Sequence, residues 1–310
     1  CGEPQHLVNA MVNYVESPPK AYFDTEVIHI YSFVIAPYTD PKFKRNCRHN
    51  SFFIGENTRG AINAGMADYT PISLSDLPPL INSGAVRIDV ALIQTSLPDK
   101  HGFMSLGISV DIVKAAMDKA SLIIAQVNAD MPRVHGDGFV HVKDVNFILR
   151  HDEPLLEIQS IPITETTEHI GNYVARLVQD GDTIQVGYGG LPNAVMANLF
   201  DKKNLGVHTE LLSDGLVALI KAGVIDNSCK KLNPGKTVAA FCMGKKETYE
   251  FLDDNPSILF RTINYTNNPL NIAQQENMVA INSALEMDLT GQATSDSIGG
   301  TFYSGVGGHQ

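Results

Sequence analysis

The 310-residue chain contains no tryptophan and only four cysteines, and none of its apolar runs approaches the ~20 residues a membrane helix needs. Cys1, Cys47, Cys229 and Cys242 lie far apart, with no C-x-x-C pair. That spacing argues against a zinc site or a disulfide framework and for reduced thiols, as expected of a cytoplasmic protein. Positive charge is also scarce: 23 Lys and Arg stand against 34 Asp and Glu, for a net charge of −11. The lack of a basic stripe to neutralise phosphates argues against a nucleic-acid binder. The G-x-G-x-x-G dinucleotide fingerprint, the P-loop Lys-Ser/Thr and the G-x-S-x-G nucleophile elbow are all missing. The chain opens without an initiator Met or a signal-peptide pattern and stops at Gln310, directly after a glycine motif. An internal stretch of a longer protein is therefore expected.

What is present is a globular composition, 44% apolar and 18% charged, long enough for two domains. Residues 26–35, 90–95 and 120–127 read as strands, the last as a continuous apolar run suited to burial on both faces. Residues 58–65 and 109–119 carry helical spacing between them. Such alternation predicts an α/β fold of two domains with mainly parallel sheets flanked by helices. The pattern loosens over 150–167, which places a boundary between domains 1–160 and 161–310. A weak repeat relates the halves: the strands at 90–96 and 279–285 each lead into a D-x-x-G turn, Asp99 to Gly102 and Asp288 to Gly291.

Two features carry chemistry. Residues 183–200 read as strand, glycine turn and helix, with Gly187, Tyr188, Gly189, Gly190 and Leu191 in the turn and Pro192 in the first helical turn. The glycines permit close backbone approach, and a helix N-terminus favours anions such as a pyrophosphate, although a purely structural turn fits equally. Further on, Gly206-Val207-His208-Thr209-Glu210 forms a short strand ending on a carboxylate, before a helix that Ser213 or Asp214 can cap and Gly223 ends. Ligand sites in open α/β sheets gather beyond the carboxyl ends of strands. A carboxylate there is ionised at neutral pH and can act as a nucleophile without a neighbouring base. A capping or solvent-facing glutamate is the alternative reading.

Other candidates are weaker. Glu286 is a rival nucleophile in an apolar repeat beside Asp288. His135 and His141 bracket a Gly136-Asp137-Gly138 turn without a further zinc-spaced ligand, so no metal is expected. Lys245 and Lys246 read as a solvated turn that could approach a phosphate.

In its ordered motifs the sequence resembles the acetyl-CoA hydrolase/transferase family, within it the 4-hydroxybutyrate and butyrate–acetate CoA-transferases. The motifs are Cys1-Gly2-Glu3-Pro4, Ser51-Phe52-Phe53-Ile54-Gly55, Asp68-Tyr69-Thr70-Pro71-Ile72, Ser96-Leu97-Pro98-Asp99-Lys100-His101-Gly102, Asn128-Ala129-Asp130-Met131-Pro132-Arg133, Asn282-Ser283-Ala284-Leu285-Glu286 and the terminal Gly305-Val306-Gly307-Gly308. The resemblance implies a CoA-transferase-like, NagB/RpiA-like architecture. It makes Glu210 the nucleophile that attacks acyl-CoA, and it gives the turn from Gly187 to Leu191 contacts to CoA. It assigns CoA contacts and an oxyanion donor to Ser304 and Gly308, and places Asn267 where the acyl carbonyl is oriented. Acyl-CoA and short-chain carboxylic acids such as acetate, butyrate or 4-hydroxybutyrate are the implied substrates, with no permanently bound cofactor.

Hydrolysis of acyl-CoA on the same scaffold, or non-catalytic binding of CoA or a sugar phosphate, are the alternatives. A homodimer is expected. Relatives continue beyond G-x-G-G through two residues into Asp-Phe, so residues 1–310 without a further C-terminal segment are expected to be inactive.

Overall fold

The computed structural model describes residues 2–16, 22–32, 36–159 and 161–308. They form two compact units, one comprising mainly Ser75–Ser283 and the other Glu3–Leu74 with Ala284–Gly308. The boundary expected at 160, itself outside the described residues, falls within the larger unit. The loosened stretch before it has no regular secondary structure and is pinned to later residues of that unit. Ile158 N–H donates to Gly244 O at 3.2 Å, and Tyr249 Oη donates to Leu156 O at 2.8 Å. Leu155 is buried in a core that joins Ile93, Leu106 and Val127 to Ile184, Leu212 and Phe260.

The larger unit is α/β with mainly parallel pairing, as the alternating pattern predicts. Val90–Thr95, Leu122–Val127 and Phe147–Arg150 make one parallel sheet in that order. Thr183–Val186 lies between Gly206–Val207 and Met278–Ile281, parallel to both. Thr237–Ala239 pairs with Ile258–Phe260, and Leu211–Ser213 with Phe241–Met243, again parallel. Among the described residues, no helix is long and apolar enough to cross a membrane.

Some boundaries differ from the sequence pattern for identifiable reasons. The helix expected over 109–119 occupies Val113–Lys119, because the preceding backbone is committed elsewhere. Val110 and Asp111 N–H both donate to Ala240 O at 3.2 Å, and Ser109 bridges to Phe241. The helix after the boundary is Glu165–Ala175, and a capping box of Thr164 and Thr167 sets its start. The strand expected over 26–35 is Thr25–His29, matching the length of its partner Cys47–Ser51. Residues 33–35 of that expectation lie outside the described residues.

The repeat at 90–102 and 279–291 has a structural counterpart. Asp99 Oδ1 accepts from the N–H groups of His101 and Phe103, at 2.8 and 2.9 Å. Asp288 Oδ1 accepts from Thr290 and Gln292, also at 2.8 and 2.9 Å. In both turns the glycine amide bonds back to the aspartate carbonyl, with φ of 84° at Gly102 and 90° at Gly291. Both stretches therefore close on an Asx turn of the same kind.

In the smaller unit, Thr25–His29, Cys47–Ser51 and Asp68–Tyr69 form a parallel sheet. The rings of His29 and His49 meet there at 4.4 Å between centroids. Burial, reinforced for His29 by repulsion from His49, lowers their pKa values from 6.5 to about 3 and about 4 respectively. The unfolded chain takes up these protons below about pH 6.5 while the folded chain resists until lower pH, so stability drains away as pH falls through that window. The thermal midpoint should drop between pH 6.5 and 4, and His29→Phe should shrink that drop. An identical acid loss in the variant would show that the histidine pair does not cause it.

Candidate active site

Glu210 sits at a step shared by two neighbouring strands. The chain runs through Gly206–Val207, bridges from His208 to Val238, and resumes as Leu211–Ser213 beside Phe241–Met243. The partner strand is interrupted at the same level, between Ala239 and Phe241. Glu210 O spans the step by accepting from Ala240 N–H at 2.8 Å and Phe241 N–H at 3.0 Å. Thr209 ties the preceding residue down, with its N–H on Val238 O at 3.0 Å and its Oγ1 3.4 Å from Val186 O. The short strand expected to run to Thr209 therefore ends at Val207 as a ladder, but its direction is held to Glu210.

Register explains what lies beside the carboxylate. Gly206 pairs with Thr183 and Val207 with Ile184, and His208 N–H still donates to Ile184 O at 3.1 Å, so the approach to Glu210 runs beside the strand that ends in the glycine turn. Ile281 pairs with Val186 on the other side, which sets Asn282 level with Gly187. Asn282 and Gly187 thus lie together just beyond the carboxyl ends of their parallel strands, and Glu210 follows the neighbouring strand Gly206–Val207, the position expected of a ligand site in such sheets. Gly187 leaves room for this closeness: a Cβ there would lie 2.7 Å from Asn282 Oδ1, which would have to shift.

Asn267 Nδ2 donates to Glu210 Oε2 at 2.8 Å. Asn267 follows the short helix Ile263–Thr266, which brings it across 57 residues of sequence to the carboxylate. Burial pushes the Glu210 pKa above the ordinary carboxylate value, and the Asn267 amide pulls it back down. Beneath the strand, Lys230 is buried with Nζ donating to Val207 O and Lys236 O, both at 2.7 Å, and burial lowers its pKa to about 7.

The glycine turn is strand, turn and helix as the sequence predicts: Thr183–Val186 leads through Gly187 and Tyr188 into the helix Gly190–Ala197. Gly189 caps that helix at φ 139° and ψ 177°, a conformation essentially confined to glycine. Tyr188 is exposed. Gly190 and Leu191 form the first helical positions, with Pro192 buried behind them. The turn and Glu210 therefore belong to one sheet end.

Ser304 and Gly308 belong to the smaller unit. Ser304 N–H donates to Asp296 O at 3.1 Å and its hydroxyl to Ser295 O, while Ile54 N–H donates to Ser304 O at 3.3 Å. Leu74 N–H donates to Gly307 O at 3.2 Å, and Val306 N–H to Tyr69 Oη at 3.1 Å. The glycine loop is thus pinned to residues of its own unit on both sides of Gly305. Glu286 lies in that unit too, exposed, with Oε2 accepting from Gly299 N–H at 3.0 Å. His135 pairs with Asp254 at 3.0 Å and His141 with His101 O at 3.1 Å, so the two histidines are engaged separately. Lys245 and Lys246 are exposed, and their backbone amides contact Asp214 and Glu157.

Sequence reasoning missed Thr266, Gln275 and the role of His208. Thr266 Oγ1 donates to Asn267 Oδ1 at 2.8 Å, and His208 Nε2 meets Thr266 O at 2.8 Å. His208 lies within the recognised stretch, but its partners are 58 and 67 residues away and leave no local signal.

Comparison with known proteins points the same way. Residues 1–158 match the profile of the acetyl-CoA hydrolase/transferase N-terminal domain, and residues 244–310 that of the C-terminal domain. The 4-hydroxybutyrate coenzyme A transferase of Clostridium kluyveri is 45% identical over 307 residues, covering 99% of this chain and 71% of that protein. The succinyl-CoA:acetate/propanoyl-CoA:succinate CoA transferase of Fasciola hepatica is 44% identical over 306 residues, covering 98% of this chain and 63% of that one. A crystal structure of 4-hydroxybutyrate CoA-transferase from Porphyromonas gingivalis matches with a TM-score of 0.82 at 34% identity, over 94% of this chain and 69% of that one. The chain thus spans roughly two thirds of the length of these relatives.

The glycine turn yields a direct test. A Cβ at Gly189 meets nothing closer than Pro192 Cδ at 3.7 Å, so substitution there is opposed by backbone conformation rather than crowding. Gly189→Ala should destabilise the protein by about 1–3 kcal/mol, whereas Gly190→Ala needs only a small shift of Ile161, whose Cγ2 would lie 3.3 Å away. Denaturant midpoints will separate them; equal stability of the two variants would contradict the strained cap.

Proposed function

Because the chain belongs to the acetyl-CoA hydrolase/transferase family, we propose that the protein moves CoA between a short-chain acyl-CoA and a carboxylic acid, with Glu210 as nucleophile. The observation that carries this reading is the Glu210 carboxylate beyond the end of its strand, held by Asn267 at 2.8 Å, with burial raising its pKa. The names of its relatives support the substrate class: they transfer CoA to or from 4-hydroxybutyrate, acetate, propanoate and succinate.

The chemistry follows from the groups in place. A carboxylate is a weak nucleophile in water, but a thioester is reactive, and binding energy from the distant part of CoA can be used at the reacting carbon. Attack by Glu210 on the donor acyl-CoA forms a mixed anhydride and releases CoA thiolate. The thiolate then attacks the Glu210 carbonyl, giving a γ-glutamyl-CoA thioester and the first free acid. An acceptor carboxylate runs the same steps in reverse. The thioester bond energy is kept throughout, so neither ATP nor a metal enters the balance. The turn from Gly187 to Leu191 holds CoA, its glycines leaving little bulk between backbone and ligand and its helix N-terminus favouring anionic groups. Asn267 first orients the carboxylate and then donates to the carbonyl oxygen that replaces it.

Turnover of the full-length protein with short acyl-CoA donors should depend on added acetate, butyrate or 4-hydroxybutyrate. The initial rates should follow ping-pong kinetics, and Glu210→Ala should abolish them. CoA release at the full rate without any acceptor would instead identify a hydrolase, and an active Glu210→Ala enzyme would remove Glu210 from the chemistry.

A further inference from the structure

The groups behind Asn267 are more ordered than a nucleophile and its partner require. Thr266 is 2% exposed, His208 1% and Gln275 5%. His208 Nε2 faces the carbonyl of Thr266 at 2.8 Å, and a carbonyl can only accept, so Nε2 carries the ring proton. Nδ1 of the neutral ring is then an acceptor, and it faces Gln275 Nε2 at 3.4 Å. Gln275 is itself clamped to the Leu232 backbone, with Nε2 donating to Leu232 O at 3.2 Å and Oε1 accepting from Leu232 N–H at 3.3 Å. Its amide orientation is therefore defined, and with it the tautomer of His208. Burial lowers the His208 pKa to about 4, consistent with a neutral ring near pH 7.

The same logic continues toward the carboxylate. The Thr266 hydroxyl lies 2.8 Å from Asn267 Oδ1 and 3.3 Å from Ile263 O, so its proton has its shorter bond to the side-chain oxygen. An asparagine amide is nearly symmetric in shape, and either end could face Glu210. With Oδ1 turned to the carboxylate, two acceptors would oppose each other, and the Thr266 hydroxyl would have to accept from the amide and give its own proton to Ile263 O at the longer 3.3 Å. We propose that Thr266, seated by the His208–Gln275 pair, is a positioning residue that fixes the Asn267 amide with its NH2 end toward Glu210. This rests on the assignment of Glu210 as nucleophile. It adds that the donor to the reacting oxygen is set by a buried threonine that does not contact Glu210 itself. The bonds run in one direction: Gln275 donates to His208, His208 to the Thr266 carbonyl, the Thr266 hydroxyl to Asn267, and Asn267 to Glu210.

The test is a double-mutant cycle in the full-length protein. Thr266→Val keeps the branched shape and removes the hydroxyl. It should lower kcat roughly tenfold while KM for acyl-CoA changes little, and Thr266→Ser should restore most of the rate. In an Asn267→Ala background, Thr266→Val should cause no further loss, because the amide it positions is gone. Should the valine variant not fold, Thr266→Ala is read in the same way. A kcat within twofold of wild type, losses that multiply in the double variant, or no rescue by serine would each overturn the proposal. The Glu210→Ala enzyme separates the two claims. If it is inactive while Thr266→Val behaves as wild type, the positioning role alone fails; if it turns over, the nucleophile assignment has failed.

Discussion

The paired interruption of two adjacent strands at Glu210 and Ala240 is the constraint on which the rest of the site depends. A continuous parallel strand would direct Glu210 by pleat alone and leave its carbonyl in an ordinary ladder. Here that carbonyl accepts from both Ala240 and Phe241, so the main chain is locked while it steps from one strand pairing to the next. The side chain leaves the backbone at a fixed point, where Asn267 Nδ2 donates to its carboxylate at 2.8 Å. Local order of this kind is what an active group needs, since a displacement of about 1 Å can cost on the order of 100-fold in rate.

That step is held from behind by the earlier half of the larger unit. Ala240 O accepts from Val110 and Asp111, and Cys242 N–H donates to Ile108 O at 2.8 Å. Gly136 packs so closely on Phe260 that a Cβ would fall 1.9 Å from its carbonyl oxygen. Residues distant in sequence therefore brace the strands on which Glu210 sits. Electrostatics add a second layer. Burial works against ionisation of Glu210 and protonation of His208 and Lys230 alike, and for Glu210 and His208 a hydrogen bond opposes it.

Features generated by neighbours in sequence were legible before the structure. The glycine turn, the helix that Gly190 begins and the helix Asp214–Lys221 follow from local propensity and periodicity, as does the apolar strand Leu122–Val127. Glu210 could be singled out because its strand and the following helix are both local. Asn267 was legible through family resemblance, since nothing near it in sequence points to a carboxylate 57 residues earlier. Thr266 and Gln275 left no trace, because a buried threonine or glutamine reads as a loop residue until its partners are known. The helix expected from 109 begins at Val113 for the related reason that its first amides pair with Ala240 far along the chain. The compact units, cut at 74 and 283, likewise follow contacts that composition does not reveal.

The covalent step is the most direct point of attack on this mechanism. Full-length protein incubated with acyl-CoA and no acceptor acid, then digested and analysed by mass spectrometry, should carry CoA on the peptide that contains Glu210. The adduct should vanish when an acceptor carboxylate is added. A CoA adduct on Glu286, or steady acyl transfer with no adduct at Glu210, would contradict it.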